Sequence, residues 1–328
     1  MENNRLNQRV FKIIAPIVAV TFFVGLGAGM AFSGANLSSE AQTQTGDKKL
    51  SELVVAIVPQ ADVSKFEAQG KMLEDYFSAK TGMNVRLYYP LDDTTTISSI
   101  RSGTTHIAFI TSRPAQLAHE LTDGKTLAFM AELRPFKTED GTEKLGTSYV
   151  SQYWVLADSK ISSLEDARGK SVAFSSPLST GGYLFPVAKL VKDGLMPPGN
   201  DPKKFFGQVL FSGGYQQSLM ALLRGDVDVA AGDDWAVHTF LTPEEQGKIR
   251  IIANHGPIPT HSVIYRSDIV PVDVITKFEK AVIDISTQRP ELAEKALFGA
   301  LGFVPVNHHA HLDTLENALA ITKIPAVP

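Results

Sequence analysis

The stretch Lys170-SVAFSSPLSTGGYLFPVAKLVKD-Gly194 reads as a buried strand (Val172, Ala173, Phe174), a polar loop, and an amphipathic helix with Leu184, Val187, Ala188 and Val191 on one face. Ser179, Thr180, Gly181 and Gly182 fall at the strand-to-helix junction. Two hydroxyls, two residues without side-chain bulk and the free N–H groups of a helix start together make an anion site. The helix dipole adds partial positive charge, so a tetrahedral oxyanion can bind there without lysine or arginine. The same tetrad also reads as ordinary N-capping by Ser or Thr. An interior proline loses a backbone bond, so the helix is expected to begin near Gly181 or Gly182 with Pro186 close to its first turn.

Outward from this stretch, short apolar runs alternate with helical patterns, which predicts an α/β architecture. Upstream, strands are expected at Leu53–Val58, Val85–Tyr89 and Ile107–Ile110, with helices at Phe66–Thr81 and Ile97–Ser102. A second such unit begins after the turn at Gly141–Gly146, with a strand Tyr149–Leu156 and a short capped helix Ile161–Gly169. Then come the quoted stretch, a strand Val209–Phe211, a helix Tyr215–Arg224 and a strand Val227–Ala231. Strands Ile249–Ala253 and Val263–Arg266 and helices Val272–Ser286, Pro290–Phe298 and Leu312–Ala320 close the chain. In such β-α-β runs the strands are parallel and ligands meet their carboxyl ends.

The 328 residues suffice for two lobes of ordinary domain size. A net charge of −4 argues against nucleic acid or an anionic membrane surface as a partner. An anionic ligand then has to be held by local donors, not by a global positive field. With no cysteine, disulfides, thiolate metal sites, a cysteine nucleophile and a lipid-modified N-terminal cysteine are excluded.

Arg5, Arg9 and Lys12 precede an apolar run from Ile13 to Phe32, followed by the small residues Ser33-Gly34-Ala35. Residues 1–35 therefore read as an export signal cleaved after Ala35, or alternatively retained as a membrane anchor. Either way the functional part is expected in the periplasm. Residues 36–50 read as a flexible polar linker.

Several segments resemble one family, the periplasmic solute-binding proteins of phosphate/phosphite/phosphonate ABC importers. They are Met72-LEDYFSAKTGMN-Val85, Ile100-RSGTTHIAF-Ile110, Ile161-SSLEDARGKSVAFSSPLSTGGYLF-Pro186, Val209-LFSGGYQQSLMALLRGDVDVAAGD-Asp234 and Pro257-IPTHSVIYRSD-Ile269. The resemblance implies a two-lobed periplasmic-binding-protein-like fold. Each lobe would be a mixed, mostly parallel sheet flanked by helices, and the chain would cross between lobes twice, near Thr147–Tyr153 and Arg250–Ser262. Lobe 1 is expected from residues 51–147 plus 250–328 and lobe 2 from 148–249. The ligand would lie between them, its oxyanion held by Ser179, Thr180 and Gly181.

Tyr149 falls on the family's aromatic at the lobe crossing, and Asp233 on its carboxylate. Three positions depart from the pattern. The aspartate–tyrosine pair is Asp92-Asp93 here, Thr111-Ser112-Arg113-Pro114-Ala115 replaces a Gly-Pro-x-x-Tyr context, and Tyr215 stands for a histidine. These changes put an amine-bearing phosphonate in doubt.

Arg113 reads either as a bidentate oxyanion partner or as a surface arginine on Pro114, and Asp233 as a ligand contact or as an N-cap. Tyr215 either donates to the ligand or closes its loop, and Asp93 joins the candidate ligand contacts. The His308, His309 and His311 group lacks the context of a metal site, so no metal and no cofactor are expected. No carboxylate pair or serine has a catalytic setting, so an enzyme is not expected. The implied partners are a small oxyanion and an ABC importer permease in the inner membrane, or alternatively a sensor kinase. The protein itself is expected to be a monomer.

Overall fold

In the computed structural model, residues 50–58, 67–137, 143–290, 292–293, 297 and 300–324 are described. The export segment and linker of the sequence reading lie outside them, as do parts of the 141–146 turn and of the expected 290–298 helix. No helix among the described residues is long and apolar enough to cross a membrane.

Two mixed sheets organise residues 51–328, which form one compact unit. The first contains β1 (Glu52–Ile57), β2 (Asn84–Tyr88), β3 (Ile107–Ile110) and β4 (Thr126–Glu132). A two-stranded ribbon of β5 (Arg134–Lys137) and β6 (Glu143–Gly146) follows. The second sheet contains β7 (Ser148–Leu156), β8 (Ser171–Phe174), β9 (Gln208–Phe211), β10 (Val229–Asp233) and β11 (Ile249–Pro259). The chain then returns to the first sheet with β12 (Ser262–Arg266) and β13 (Phe303–Pro305).

Strand order is β13-β4-β12-β3-β1-β2 in the first sheet and β11-β7-β10-β8-β9 in the second. The pairs β1–β2, β1–β3, β8–β9 and β8–β10 are parallel, whereas β7 and β11, the first and last strands of the second sheet, pair antiparallel. Parallel order prevails where helices connect successive strands, because a crossover returns the chain in the same direction.

Helices cover both faces of each sheet, and the period-2 pattern of the strands shows why. In the second sheet Tyr153, Val155, Val172, Phe174, Val229 and Ala231 point to one face, against Val187, Leu190, Phe205 and Phe206. Their neighbours Trp154, Ala173 and Ala230 point to the other, against Leu219, Leu222 and Leu241. In the first sheet Ala56, Ala108, Ile110 and Ile264 meet Ile100, Ala115 and Ala118. On its opposite face Phe109 packs with Phe77, Phe278 and Phe303.

Several elements differ from the sequence expectation. Of the short helix Ile161–Gly169 only the turn Glu165–Ala167 is helical, and the strand from Ile249 runs on to Pro259. Three further differences have a local reason. The helix expected from Ile97 starts at Asp93, because Asp92 caps it by accepting the Thr95 N–H at 2.7 Å; Gly103 ends it with φ 75°. The Thr94-Thr95-Thr96 run has low intrinsic helix propensity, which hides that start. A helix Ser112–Leu121 follows β3 directly, where no element was expected. Pro114 lies in its first turn, where the missing N–H costs nothing. The strand expected at Val227–Ala231 runs from Val229 to Asp233, which places Asp233 at the strand end and not before a helix.

Candidate functional site

The junction after β8 folds as a wide turn, Thr180–Leu184, followed by the helix Phe185–Lys192 with Pro186 in its first turn. The Leu184 N–H reaches back to the Ser179 carbonyl and that of Phe185 to the Thr180 carbonyl, five residues in each case. Ser179 caps this turn, its Oγ accepting the Gly182 N–H at 3.0 Å and lying 3.2 Å from the Tyr215 hydroxyl. The cap fixes the loop and takes up the Gly182 N–H.

Gly181 and Gly182 are required by close approach. A Cβ on Gly181 would collide with Asp233 Oδ1 and stand 3.0 Å from Tyr149 Cε2; one on Gly182 would collide with Ser175 Oγ. The Ser151 hydroxyl donates to the Gly181 carbonyl at 2.7 Å, which ties the loop to β7. Tyr149 and Ser151 come from β7, Asp233 from the end of β10 and Tyr215 from the start of the helix Tyr215–Leu223. The second sheet thus gathers Ser179, Thr180, Gly181, Tyr149, Tyr215 and Asp233 in one place.

Asp233 is 1% exposed, and neither of its carboxyl oxygens has a hydrogen-bond partner among the described residues. Burial pushes its carboxyl up to about 8; Tyr215 opposes the shift, Asp234 adds to it, and Arg134 and Trp235 oppose it. Although Tyr215 and Trp235 act on it electrostatically, neither reaches hydrogen-bond geometry. Asp233 does not cap the helix Ala236–Phe240, so the N-cap alternative falls. Burial, followed by the nearby Asp233, also holds the Tyr149 and Tyr215 hydroxyls well above the ordinary tyrosine value. At neutral pH these shifts favour the protonated, O–H-donating form of all three groups.

The first sheet contributes the start of the helix Ser112–Leu121. The Arg113 backbone N–H donates to Thr180 Oγ1 at 3.0 Å, so two helix beginnings meet at Thr180. The Arg113 side chain does not lie on the surface. It is 2% exposed and donates to the Pro177 carbonyl, and burial pushes the guanidinium down to about 10. It also lines a cavity of about 440 Å³ shared with Pro177, Tyr183, Lys203, Phe211 and Lys323. Arg113 is thus buried, not a surface arginine. Its backbone N–H meets the 179–182 loop.

Asp93 stands in the first turn of its helix with Oδ1 buried and without a partner among the described residues. Burial, with Asp92 adding, pushes its carboxyl up to about 7. No hydrogen bond joins it to the Ser179 loop. The nearest packing link is Ile97 of the same helix against Leu178.

Sequence reasoning passed over Ser151, Ser175 and the group Glu132, Arg134 and His261. Ser175 is the one with a signal, since it follows β8 in the quoted stretch. Its Oγ is buried and has no partner among the described residues. The histidines stack: His119 and His308 have ring centroids 4.1 Å apart, and His308 Nδ1 accepts the Ala128 N–H at 3.0 Å. No group of three metal-ligating side chains occurs among the described residues.

Comparison with known proteins gives a consistent picture. The family described as ABC transporter, phosphonate, periplasmic substrate-binding protein matches residues 55–311. The phosphate-import protein PhnD of Mycolicibacterium smegmatis is 24% identical over 247 residues, 74% of each chain. Among solved structures, a binding protein component of an ABC phosphonate transporter from Pseudomonas aeruginosa superimposes with a TM-score of 0.65 at 20% identity. That match covers 83% of this chain and 87% of the other. PhnD1 from Prochlorococcus marinus (MIT 9301), in complex with methylphosphonate, gives a TM-score of 0.66 at 13% identity over 84% of this chain and 99% of its own. At such identities the structural likeness concerns the fold.

Proposed function

The chain belongs to the periplasmic substrate-binding proteins of phosphonate ABC transporters, and on that premise we propose that it captures a small tetrahedral oxyanion of the phosphonate, phosphite or phosphate class. It then delivers this ligand to an importer permease in the inner membrane. The two sheets are the cores of two lobes. The return expected at 250 is moved to 260, because β11 stays in the second sheet to Pro259. The first lobe therefore takes residues 51–147 and 260–328 and the second 148–259. The C-terminal helix His308–Thr322 packs Leu312, Leu315 and Ala318 against Leu184, Phe185 and Ile258, so it leans on the second lobe. Residues 1–35 act as the export signal.

One observation carries the reading: the glycine-flattened turn after Ser179 lies against the buried Asp233 and Tyr149 and the partly buried Tyr215. N–H groups of a helix start and neutral hydroxyls are the donors that suit a compact oxyanion. Ser179, Thr180 and Gly181 hold the oxyanion. Tyr149, Tyr215 and Asp233 donate to its remaining oxygens, and the Arg113 backbone clasps the loop from the other lobe. Asp93 borders the ligand's substituent. None of these groups has a nucleophile–base pairing, so the role is binding and not catalysis. Nothing observed favours the sensor-kinase partner over the permease.

The test is titration calorimetry of Thr180→Ala with methylphosphonate and with inorganic phosphate. A hydrogen bond to a charged oxyanion is worth about 1.5–3 kcal/mol, so affinity should fall by about one to two powers of ten. Parental affinity in a folded variant would place the ligand elsewhere.

A further inference from the structure

Glu132, Arg134, His261 and Trp235 take no part in the site as described, yet together they join the two sheets at their connections. Glu132 ends β4 of the first sheet and is 2% exposed. Arg134 pairs with it through one hydrogen bond, Nε to Oε2 at 3.0 Å, while its Nη2 stands 3.0 Å from Oε1 as an ion-pair contact, and His261 Nδ1 lies 3.1 Å from Oε2. Burial works against the Glu132 charge, but Arg134 and then His261 outweigh it and hold the carboxyl below its ordinary value.

The backbone at this point is tied as tightly. The Glu132 N–H donates to the His261 carbonyl, the Thr260 hydroxyl donates to the Glu132 carbonyl at 2.6 Å, and the Thr260 N–H donates to the Thr147 carbonyl at 2.9 Å. Both chain connections between the sheets, 133–147 and 260–261, therefore converge on Glu132.

A buried carboxylate bonded at Nε and paired with Nη2 anchors the guanidinium by one edge and leaves its flat face available. That face lies over the Trp235 ring, 4.8 Å from the centroid. Trp235 follows β10 of the second sheet, meets the Tyr215 ring edge-on at 5.5 Å and adjoins Asp233 and Asp234. The Arg134 side chain is only 14% exposed, so the stack forms largely out of water, where cation–π attraction is strongest. The Arg134 charge also acts on Tyr149, Tyr215, Asp233 and Asp234.

We propose that Arg134 is an interlobe latch, seated on Glu132 at the hinge and closing on Trp235, so that the closed form gains a cation–π contact beside the oxyanion site. The proposal rests on the two-lobed binding reading above. Its logic is geometric: Glu132 and His261 hold Arg134 still at the pivot, where the lobes move least, and Trp235 rides on the lobe that swings. Arg134 is a positioning residue. It selects the closed arrangement, and the ligand loop does the binding.

Four proteins decide it: the parent, Arg134→Gln, Trp235→Leu and the double variant. Small-angle scattering of each without ligand reads closure directly, and calorimetry with methylphosphonate reads its effect on binding. Each single change should enlarge the ligand-free radius of gyration and weaken methylphosphonate about tenfold, the weight of one partly desolvated cation–π contact. The double variant should be no worse than either single one, because both remove the same contact.

Trp235→Leu leaves the Glu132–Arg134 pair intact, so it tests the latch even if Arg134→Gln folds poorly with Glu132 unpaired. An unchanged radius in Trp235→Leu, or additive losses in the double variant, would overturn the latch. If the parent binds neither methylphosphonate nor phosphate, the oxyanion reading fails. The ligand-free radii and their non-additivity still decide the latch.

Discussion

Asp233 is where a single residue sets the chemistry of the site. Its carboxyl titrates near 8 in the folded protein, against an ordinary value of 3.8. Between those values the folded form keeps a proton that the unfolded chain has released. Asp233 therefore weighs increasingly against the fold as pH rises from about 4 to about 8, and by a constant amount above that. Asp233→Asn removes the penalty, so its melting temperature should exceed the parent's at pH 9 and match it near pH 4. The gain at high pH is on the order of a few kcal/mol. The same ionisation puts a negative charge against Gly181, so methylphosphonate binding by the parent should weaken above pH 8 while the variant's stays flat. Melting and calorimetry across pH 4–9 read both.

The loop residues around Asp233 were legible in the sequence because Ser179, Thr180 and the two glycines lie consecutively. The environment of Asp233 was not. Its proton is a consequence of burial between Gly181, Tyr149 and Tyr215, which are distant in the chain. Arg113 shows the same limit from the other side, since its position beside the loop was readable but the direction of its side chain was not.

At the scale of elements, the interior strands announced themselves. Leu53, Val54, Val55 and Ala56 are apolar on both faces because helices cover both, and β8 reads the same way. Helix starts were harder. The helix Ser112–Leu121 opens on Thr111, whose side chain makes no capping bond, and Pro114 in its first turn resembles a break. Strand order was illegible, because β13 joins β4 through contacts between residues about 170 apart in the chain.

The C-terminal helix His308–Thr322 offers a test at this scale. The His308 ring is buried, and burial, reinforced by His119, His309 and His311, pushes it down to about 4 from 6.5. The unfolded chain then binds a proton that the folded form refuses, so stability falls as pH drops from about 6.5 to about 4. His308→Gln can still accept the Ala128 N–H but carries no titratable ring. Its melting temperature should start lower at pH 7, for want of the stack on His119, yet decline less than the parent's by pH 4.5. Some decline remains, since His255 is also pushed down to about 4 by burial and by Lys192 and Lys189. A parallel decline in both proteins would remove His308 as the cause.

The whole molecule carries a net charge of −4, and that sign bears on how an anion arrives. A binder built on a basic patch draws its ligand in through a long-range field, and added salt slows it. In the proposed site the donors are backbone N–H groups and protonated side chains: the 179–182 turn, Tyr149, Tyr215 and Asp233. They act only at contact, and the net negative charge of the chain provides no overall pull on an approaching oxyanion. Arg134 and Arg113 do not reverse this, because the first is neutralised by Glu132 and the second is buried against the Pro177 carbonyl. Added salt screens that net charge and leaves the contacts intact. The association rate of methylphosphonate, followed by stopped-flow tryptophan emission, should therefore stay level or rise by a few-fold between about 20 and 300 mM salt. A steep fall over that range would mean that a positive field guides the ligand, and would move the point of entry towards Lys203 and Lys323 at the 440 Å³ cavity.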